Sequence, residues 1–144
     1  MADNQIQLSG DYIREEALAS GTVSPGMLLE LTSATADTVK AHATQGGEHE
    51  RAFAVEDSLQ GNEITDDYAN GALVQYNIVQ PGARVQALLK AGESVTKGDT
   101  LISGGDGTLI GDTGSPVQKT AIALETLDLS ASGSSNTLMD VRVL

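Results

Sequence analysis

The chain has 144 residues, of which twenty are acidic and eight basic, for a formal charge of −12; 40% are apolar but only 3% aromatic, sixteen are glycine and none is cysteine. The missing cysteines exclude a disulfide framework, a thiolate nucleophile and a cysteine-based zinc site. The acidic balance, with four lysines and four arginines scattered along the chain, argues against direct binding to a phosphate backbone.

One domain of this length buries roughly two-thirds of the surface its unfolded chain exposes. With so few aromatics its core must be built from Val, Leu, Ile and Ala, which suits narrow β-barrels and sandwiches. Two readings of the charge stand side by side: solubility, or an acidic face that meets a basic face on a partner.

The first residues, Met1-Ala2-Asp3-Asn4-Gln5, carry neither a basic nor an apolar leader pattern, and no apolar run approaches the roughly 20 residues that span a bilayer. The expectation is a soluble intracellular product or part of an assembly made inside a cell, with no membrane partner. Residues 1–24 differ from the rest. Gln5 to Leu8 alternates like a short strand, and Asp11 to Ala19 suits either a helical turn or extended chain. With few apolar groups of its own, this segment reads as an N-terminal arm ordered by another chain or as an ordinary first strand. The division expected is an arm over 1–24 and a β-barrel-like domain over 25–144.

Ser24-Pro25-Gly26 predicts a turn, followed by a hairpin of Met27 to Thr32 and Thr38 to Ala43 around a turn at 33–37. Gln45 to His49 is a polar loop. Arg51 to Glu56 is a strand with Phe53 and Val55 on one face. Ile64 to Gly71 predicts a short helical turn, capped by Thr65, stopped by Gly71, with Asp66 and Asp67 in its first turn.

Leu73 to Val79 and Ala83 to Lys90 alternate on either side of Pro81-Gly82, and Gly92 to Ile102 leads into the glycine turn Ser103 to Gly107. Thr108 to Ile110, Thr120 to Thr126 and Thr137 to Leu144 complete the strands, separated by the Gly111 to Pro116 turn and a flexible surface loop over 129–136. In the last strand Leu138, Asp140 and Arg142 oppose Met139, Val141 and Val143. Strand signals recurring about every eight to twelve residues indicate an all-β sandwich or barrel. No helical stretch is long enough for a βαβ crossover.

Candidate chemistry is sparse. His42 and His49 lie seven residues apart across a glycine loop, and neighbouring residues of Glu48-His49-Glu50 would point to opposite faces of a strand. They read as solvated loop residues. Asp57, Asp66 and Asp67 have no basic or aromatic group beside them to hold an electrophile. Gly104 to Asp112 looks like one calcium-binding nonapeptide, but Leu109 stands where an aspartate is needed and a single copy builds no β-roll, so a tight hairpin is expected. No Gly-Lys-Ser/Thr and no Gly-x-Ser-x-Gly follows. No enzyme, metal or cofactor is expected.

Val95-Thr96-Lys97-Gly98-Asp99-Thr100-Leu101 resembles the "V-x-x-G-D-x-L" corner of biotinyl or lipoyl carrier domains, although the nearby tip Gly104 to Gly107 carries no lysine. A carrier would be modified on Lys90, Lys97 or Lys119. The stretch Ala54 to Gly71, with Gln80 to Val85, Val95 to Asp99 and Asp106 to Leu109, resembles the head decoration or structural cement proteins of tailed bacteriophages, over roughly residues 25 to 127. That resemblance implies a small β-barrel or β-tulip-like domain with an extended N-terminal arm. It implies a virion structural protein on the capsid outer surface, made in the host cytoplasm, forming a homotrimer at three-fold or quasi-three-fold sites and bound to the major capsid protein. The expected contact residues are Ile6, Leu8, Tyr12, Ile13 and Leu18, whose arm would add a strand to a neighbour's sheet edge. Two other readings stay open: a binding module of the phage tail or baseplate, and a barrel-sandwich carrier-like domain.

Overall fold

The computed structural model describes residues 4–32 and 37–144. Within them lie β1 (Gln7–Ser9), β2 (Tyr12–Ala19), β3 (Leu29–Thr32), β4 (Thr38–Ala41), β5 (Ala52–Ala54), β6 (Leu73–Val79), β7 (Arg84–Leu89), β8 (Ser94–Val95), β9 (Thr100–Ser103), β10 (Leu109–Gly111), β11 (Ala121–Ala123), β12 (Leu127–Asp128) and β13 (Thr137–Val143). The fold is all-β. The one helical piece among the described residues is a 3-10 turn at Ser58–Gln60.

Strands β7, β10, β9, β11 and β13 bond in that order and β13 returns to β7, closing a five-stranded barrel with β1 laid along β7. The closing seam runs through six residue pairs, from Thr137 opposite Leu89 to Arg142 opposite Arg84. The β7–β10 seam is parallel and rests on one pair, Leu89 with Leu109. Period-two alternation decides what enters the barrel. Met139, Val141 and Val143 are buried while Arg142 between them is exposed. Small aliphatic groups from Val85, Ala87, Leu101, Ala121 and Ala123 fill the remainder, which a narrow barrel with little room for large rings requires.

The second sheet has the order β3-β4-β2-β6-β5. Its spine is β2 against β6, antiparallel through seven pairs from Tyr12 with Val79 to Leu18 with Leu73. Ala17, Leu29, Val39, Val74 and Tyr76 form a second core, covered by Val23 and Tyr68. Strand β5 serves both cores: Ala52 and Ala54 pack into the second, Phe53 and the following Val55 into the barrel's.

The five-residue loop between β9 and β10, Gly104 to Thr108, joins the two bodies. The Leu28 amide donates to the Gly107 carbonyl (2.9 Å), the Gly107 amide to the His42 carbonyl (3.1 Å), and the His42 amide to the Leu28 carbonyl (2.9 Å). This three-membered ring of main-chain bonds ties loop, β4 and the approach to β3 together. Gly46 adds a bond to the Ser103 carbonyl at 3.0 Å. The approach is close enough that a Cβ on Gly105, at φ +84°, would lie 2.9 Å from the Gln45 backbone nitrogen.

The structure differs from the sequence reading at several points. The segment expected as an arm is built into the sheets of its own chain: β1 pairs with β7, β2 pairs with β6 and β4, and the Ile6 carbonyl accepts from the Gln86 amide at 2.8 Å. Between the two possibilities for 11–19, extended chain is the one formed. No helical turn forms over 64–71. Tyr68 instead makes a two-way bridge with Val23, at 2.7 and 3.0 Å, and its buried ring donates its hydroxyl to the Val55 carbonyl at 2.6 Å. Burying one tyrosine against the second core wins over a turn with little apolar surface to pack. The Asp66 carboxylate, expected at a helix start, accepts the Glu63 amide within a tight turn (2.7 Å). The expected strand over 120–126 shortens to β11, and the 129–136 loop is pinned by buried Leu129 and by Asn136, which accepts the Ala91 amide at 2.9 Å. The hairpin of β3 and β4 is formed, from Leu29 with Ala41 to Thr32 with Thr38, while residues 33–36 of its turn lie outside the described residues.

A comparison of two glycines tests the junction. Gly61 sits at φ +77° in open space, so Gly61→Ala should cost about 1 kcal/mol from left-handed backbone alone. Gly105→Ala should cost an additional 1–3 kcal/mol or so, because the new methyl meets the fixed Gln45 backbone. Urea unfolding midpoints at constant m-value give both numbers; equal costs would mean the loop gives way freely.

Candidate partner surface

The five residues Tyr12 to Glu16 of β2 are all exposed. On one side they pair with β6; on the other, β4 reaches only Leu18 and Ala19, so no strand among the described residues covers this stretch of edge. An uncovered edge offers unpaired amides and carbonyls to an added strand. The side chains along it mix apolar and acidic: Ile13 is 54% exposed, Tyr12 and Leu18 nearly as much, and Glu15 and Glu16 lie between them. Leu18 sits directly opposite exposed Leu73 on β6, and Leu31 of edge strand β3 is exposed on the same sheet. Arg14 is steered by its neighbours: its Nε donates to Asn77 Oδ1 at 2.5 Å, and its guanidinium lies 5.7 Å from the Tyr12 ring centre.

The five residues expected to meet a partner therefore divide. Tyr12, Ile13 and Leu18 share the exposed sheet. Leu8 is half-buried on β1, and Ile6 is fully enclosed in the barrel core, where it presents nothing to a partner. The reason is the β1–β7 pairing, which turns Ile6 inward. Leu31, Leu59 and Leu73 belong to the exposed apolar set and were not singled out from sequence. Leu73 occupies the first position of an alternating strand, which by pattern alone reads as core.

The histidines are not solvated loop residues. His42 is enclosed at the junction, and its ring stands edge-on to His49 with centres 5.3 Å apart. His42 Nε2 faces the Glu48 carbonyl at 3.1 Å, which can only accept, so Nε2 carries the proton and Nδ1 accepts from the Ser103 hydroxyl at 2.6 Å. His49 is wired the other way: Nδ1 donates to the Glu50 carbonyl (2.8 Å) and Nε2 accepts from the Thr120 hydroxyl (2.8 Å). The Glu30 carboxylate lies 3.8 Å from His42 and is engaged by Lys40 at 3.2 Å. A hydroxyl, an imidazole and a carboxylate thus come together, but Ser103 is fully enclosed and its oxygen also accepts the Gly105 amide (3.3 Å). No substrate carbonyl reaches it; the cluster fastens the junction. Among the described residues no three His, Asp, Glu or Cys side chains gather as metal ligands, and no helix among them is long and apolar enough to cross a membrane.

The carrier-like corner is the turn between β8 and β9, where Asp99 accepts the Thr96 amide at 2.8 Å. Of the lysines near it, Lys90 pairs with Asp106 at 3.1 Å and Lys119 with Asp112 at 2.7 Å. Lys97 is exposed on the turn itself.

No protein-family model matches the chain, and no curated protein matches it. Among solved structures it is similar to the head fiber gp8.5 N base in bacteriophage phi29. The two share 19% sequence identity at a TM-score of 0.62, over 93% of this chain and 95% of that one. The likeness is one of fold. It spans nearly the whole of both chains.

Acidification tests the histidine pair. Burial holds the His49 pKa below its ordinary 6.5; the hydrogen bond to the Glu50 carbonyl opposes that shift, and nearby His42 and Arg51 reinforce it. The folded state therefore favours the neutral ring. Its contribution is complete above the unfolded value and is lost as pH falls through about 6.5 toward the lower folded-state value. Urea midpoints should drop on going from about pH 7.5 to 5.5, and His49→Gln should drop less steeply; parallel slopes would place the pH dependence elsewhere.

Proposed function

We infer that the protein is a structural component of a bacteriophage virion, carried on the outer surface of the head. There it binds the major capsid protein as a homotrimer at three-fold or quasi-three-fold positions and stiffens the shell. The observation that carries this reading is the likeness in fold, over 93% of the chain, to a phage head fiber base. The surface supports it chemically. A domain whose Ser103, His42, His49 and Glu30 side chains are engaged with its own residues suits adhesion, and the β2 edge offers an uncovered surface for it.

The coat protein would meet that edge through main-chain bonds to Tyr12 to Glu16 and through apolar contact with Ile13, Leu18 and Leu73. The carboxylates of Glu15 and Glu16 select a basic stretch on the coat protein and repel acidic ones. A clamp that touches several coat subunits adds buried area at each, and the gains combine through effective concentration. Each contact can then stay small.

Residues 7–19 are two strands of the fold, so point substitutions test the surface more cleanly than truncation. Purified protein mixed with expanded, DNA-free heads should pellet with them to a saturating stoichiometry of hundreds of copies. Ile13→Asp with Leu18→Asp should weaken that binding by roughly tenfold or more, about 1.4 kcal/mol, without lowering the melting temperature. Saturation at a handful of copies would favour a tail or baseplate accessory. Binding unchanged by the pair of substitutions would remove the β2 edge from the contact.

A further inference from the structure

Basic residues that look scattered in the sequence do not stay so. Arg84 on β7, Lys97 on the β8–β9 turn and Arg142 on β13 line one pocket on the barrel with Leu124 and Asp140. Register places Arg84 directly across from Arg142, a like-charge pair that costs stability unless something negative sits over it. Asp140 answers Arg84 with an ion pair. Lys97 and Arg142 make no ion pair among the described residues. The other basic side chains are already engaged: Lys40, Lys90 and Lys119 with carboxylates, Arg14 with Asn77, Arg51 with the Leu144 carbonyl. On a chain of charge −12 this pocket is where positive charge is in excess.

The same chain carries a match for it. The loop from Asp57 to Asp67 exposes Leu59, 89% accessible and the most exposed large apolar side chain described, on the 3-10 turn. The same loop carries Asp57, half-buried, and Glu63, Asp66 and Asp67, all exposed. An exposed leucine on an acidic loop complements a pocket lined by Leu124 and three basic side chains.

We propose that the Arg84–Lys97–Arg142 pocket receives the Leu59 loop of a second copy of this chain. The charge argument favours a second copy over an unrelated protein. Two bodies of charge −12 repel over most approaches, and this is the approach on which the sign reverses. Loop and pocket are different patches, so the contact is heterologous and closes into a ring when the rotation between copies permits. The inference deepens the self-association in the proposed function and rests on that reading for its setting; the contact itself is read in solution, without shells.

Sedimentation equilibrium of the full chain is the test, with Leu59→Ser, with Lys97→Glu plus Arg142→Glu, and with Glu63→Lys plus Asp67→Lys. The unaltered protein should sediment as a small multiple of 14.8 kDa. Each variant should dissociate at least tenfold more readily, and mixing the two charge-reversed variants should restore association. That restoration requires both to be folded. A protein that stays monomeric at every concentration overturns the proposal, as do variants that assemble like the parent or reversed variants that stay apart when mixed. Intact self-association without shell binding would count against the capsid role alone; shell binding by an unaltered protein that stays monomeric in solution would count against this contact alone.

Discussion

The structure depends on how closely the Gly104 to Thr108 loop can approach the end of β4. Leu28, His42 and Gly107 exchange three main-chain hydrogen bonds in a ring, and a side chain on Gly105 would collide with the Gln45 backbone. Neither sheet is self-sufficient at that point: Leu28 and Phe53 belong to the barrel core although their neighbours serve the other one. The buried hydroxyl–imidazole pair of Ser103 and His42 sits at the same place. A buried polar pair that is fully satisfied rigidifies its surroundings, and here it fixes the relative position of the barrel and the sheet whose edge faces outward.

Much of this fold was legible because β-structure writes itself in period two. The final strand, the Phe53/Val55 face and the β9–β10 hairpin follow directly from alternation and glycine placement. The segments that misled are those where one side chain's tertiary contact outweighs local pattern. Tyr68 converts an apparent helical turn into a bridge, and Ile6 draws an apparent arm into the barrel. The exposed sheet was partly legible, through Tyr12, Ile13 and Leu18 on a sparsely apolar segment. The rest was not, because Leu73 and Leu31 have the same pattern as core residues and differ only in what fails to cover them. The convergence of Arg84, Lys97 and Arg142 belongs to barrel closure, which brings β7, β13 and the β8–β9 turn together from distant parts of the chain.

The glycine-rich run Gly104 to Asp112 illustrates how one composition serves different physics. Glycine lets a backbone come close to something, whether a phosphate, a metal ion or another backbone. In this chain the object approached is the chain's own β4 end, which accounts for the run without any ligand. The scarcity of aromatics follows the same logic, since a barrel of five short strands has room for Val, Ala and Leu but little for rings. Tyr68 and Tyr76 pack into the second core, and Phe53, carried on the second sheet, is the one ring that enters the barrel core among the described residues. Burial pushes the Tyr68 hydroxyl up to about 12, so it remains a donor to Val55 at any pH near neutrality.

The barrel's staves are joined unequally. Six residue pairs bind β7 to β13, whereas a single parallel pair, backed by the Lys90 amide on the Leu109 carbonyl, binds β7 to β10. Under mechanical load the weaker joint yields first, because each of its few bonds carries a larger part of the force. Such a joint acts as a fuse: the β7–β10 seam would part while the longer β7–β13 seam, the β2–β6 spine and the junction at the β9–β10 loop kept their bonds. A body joined in this way gives at one seam and recloses while its longer seams keep their register.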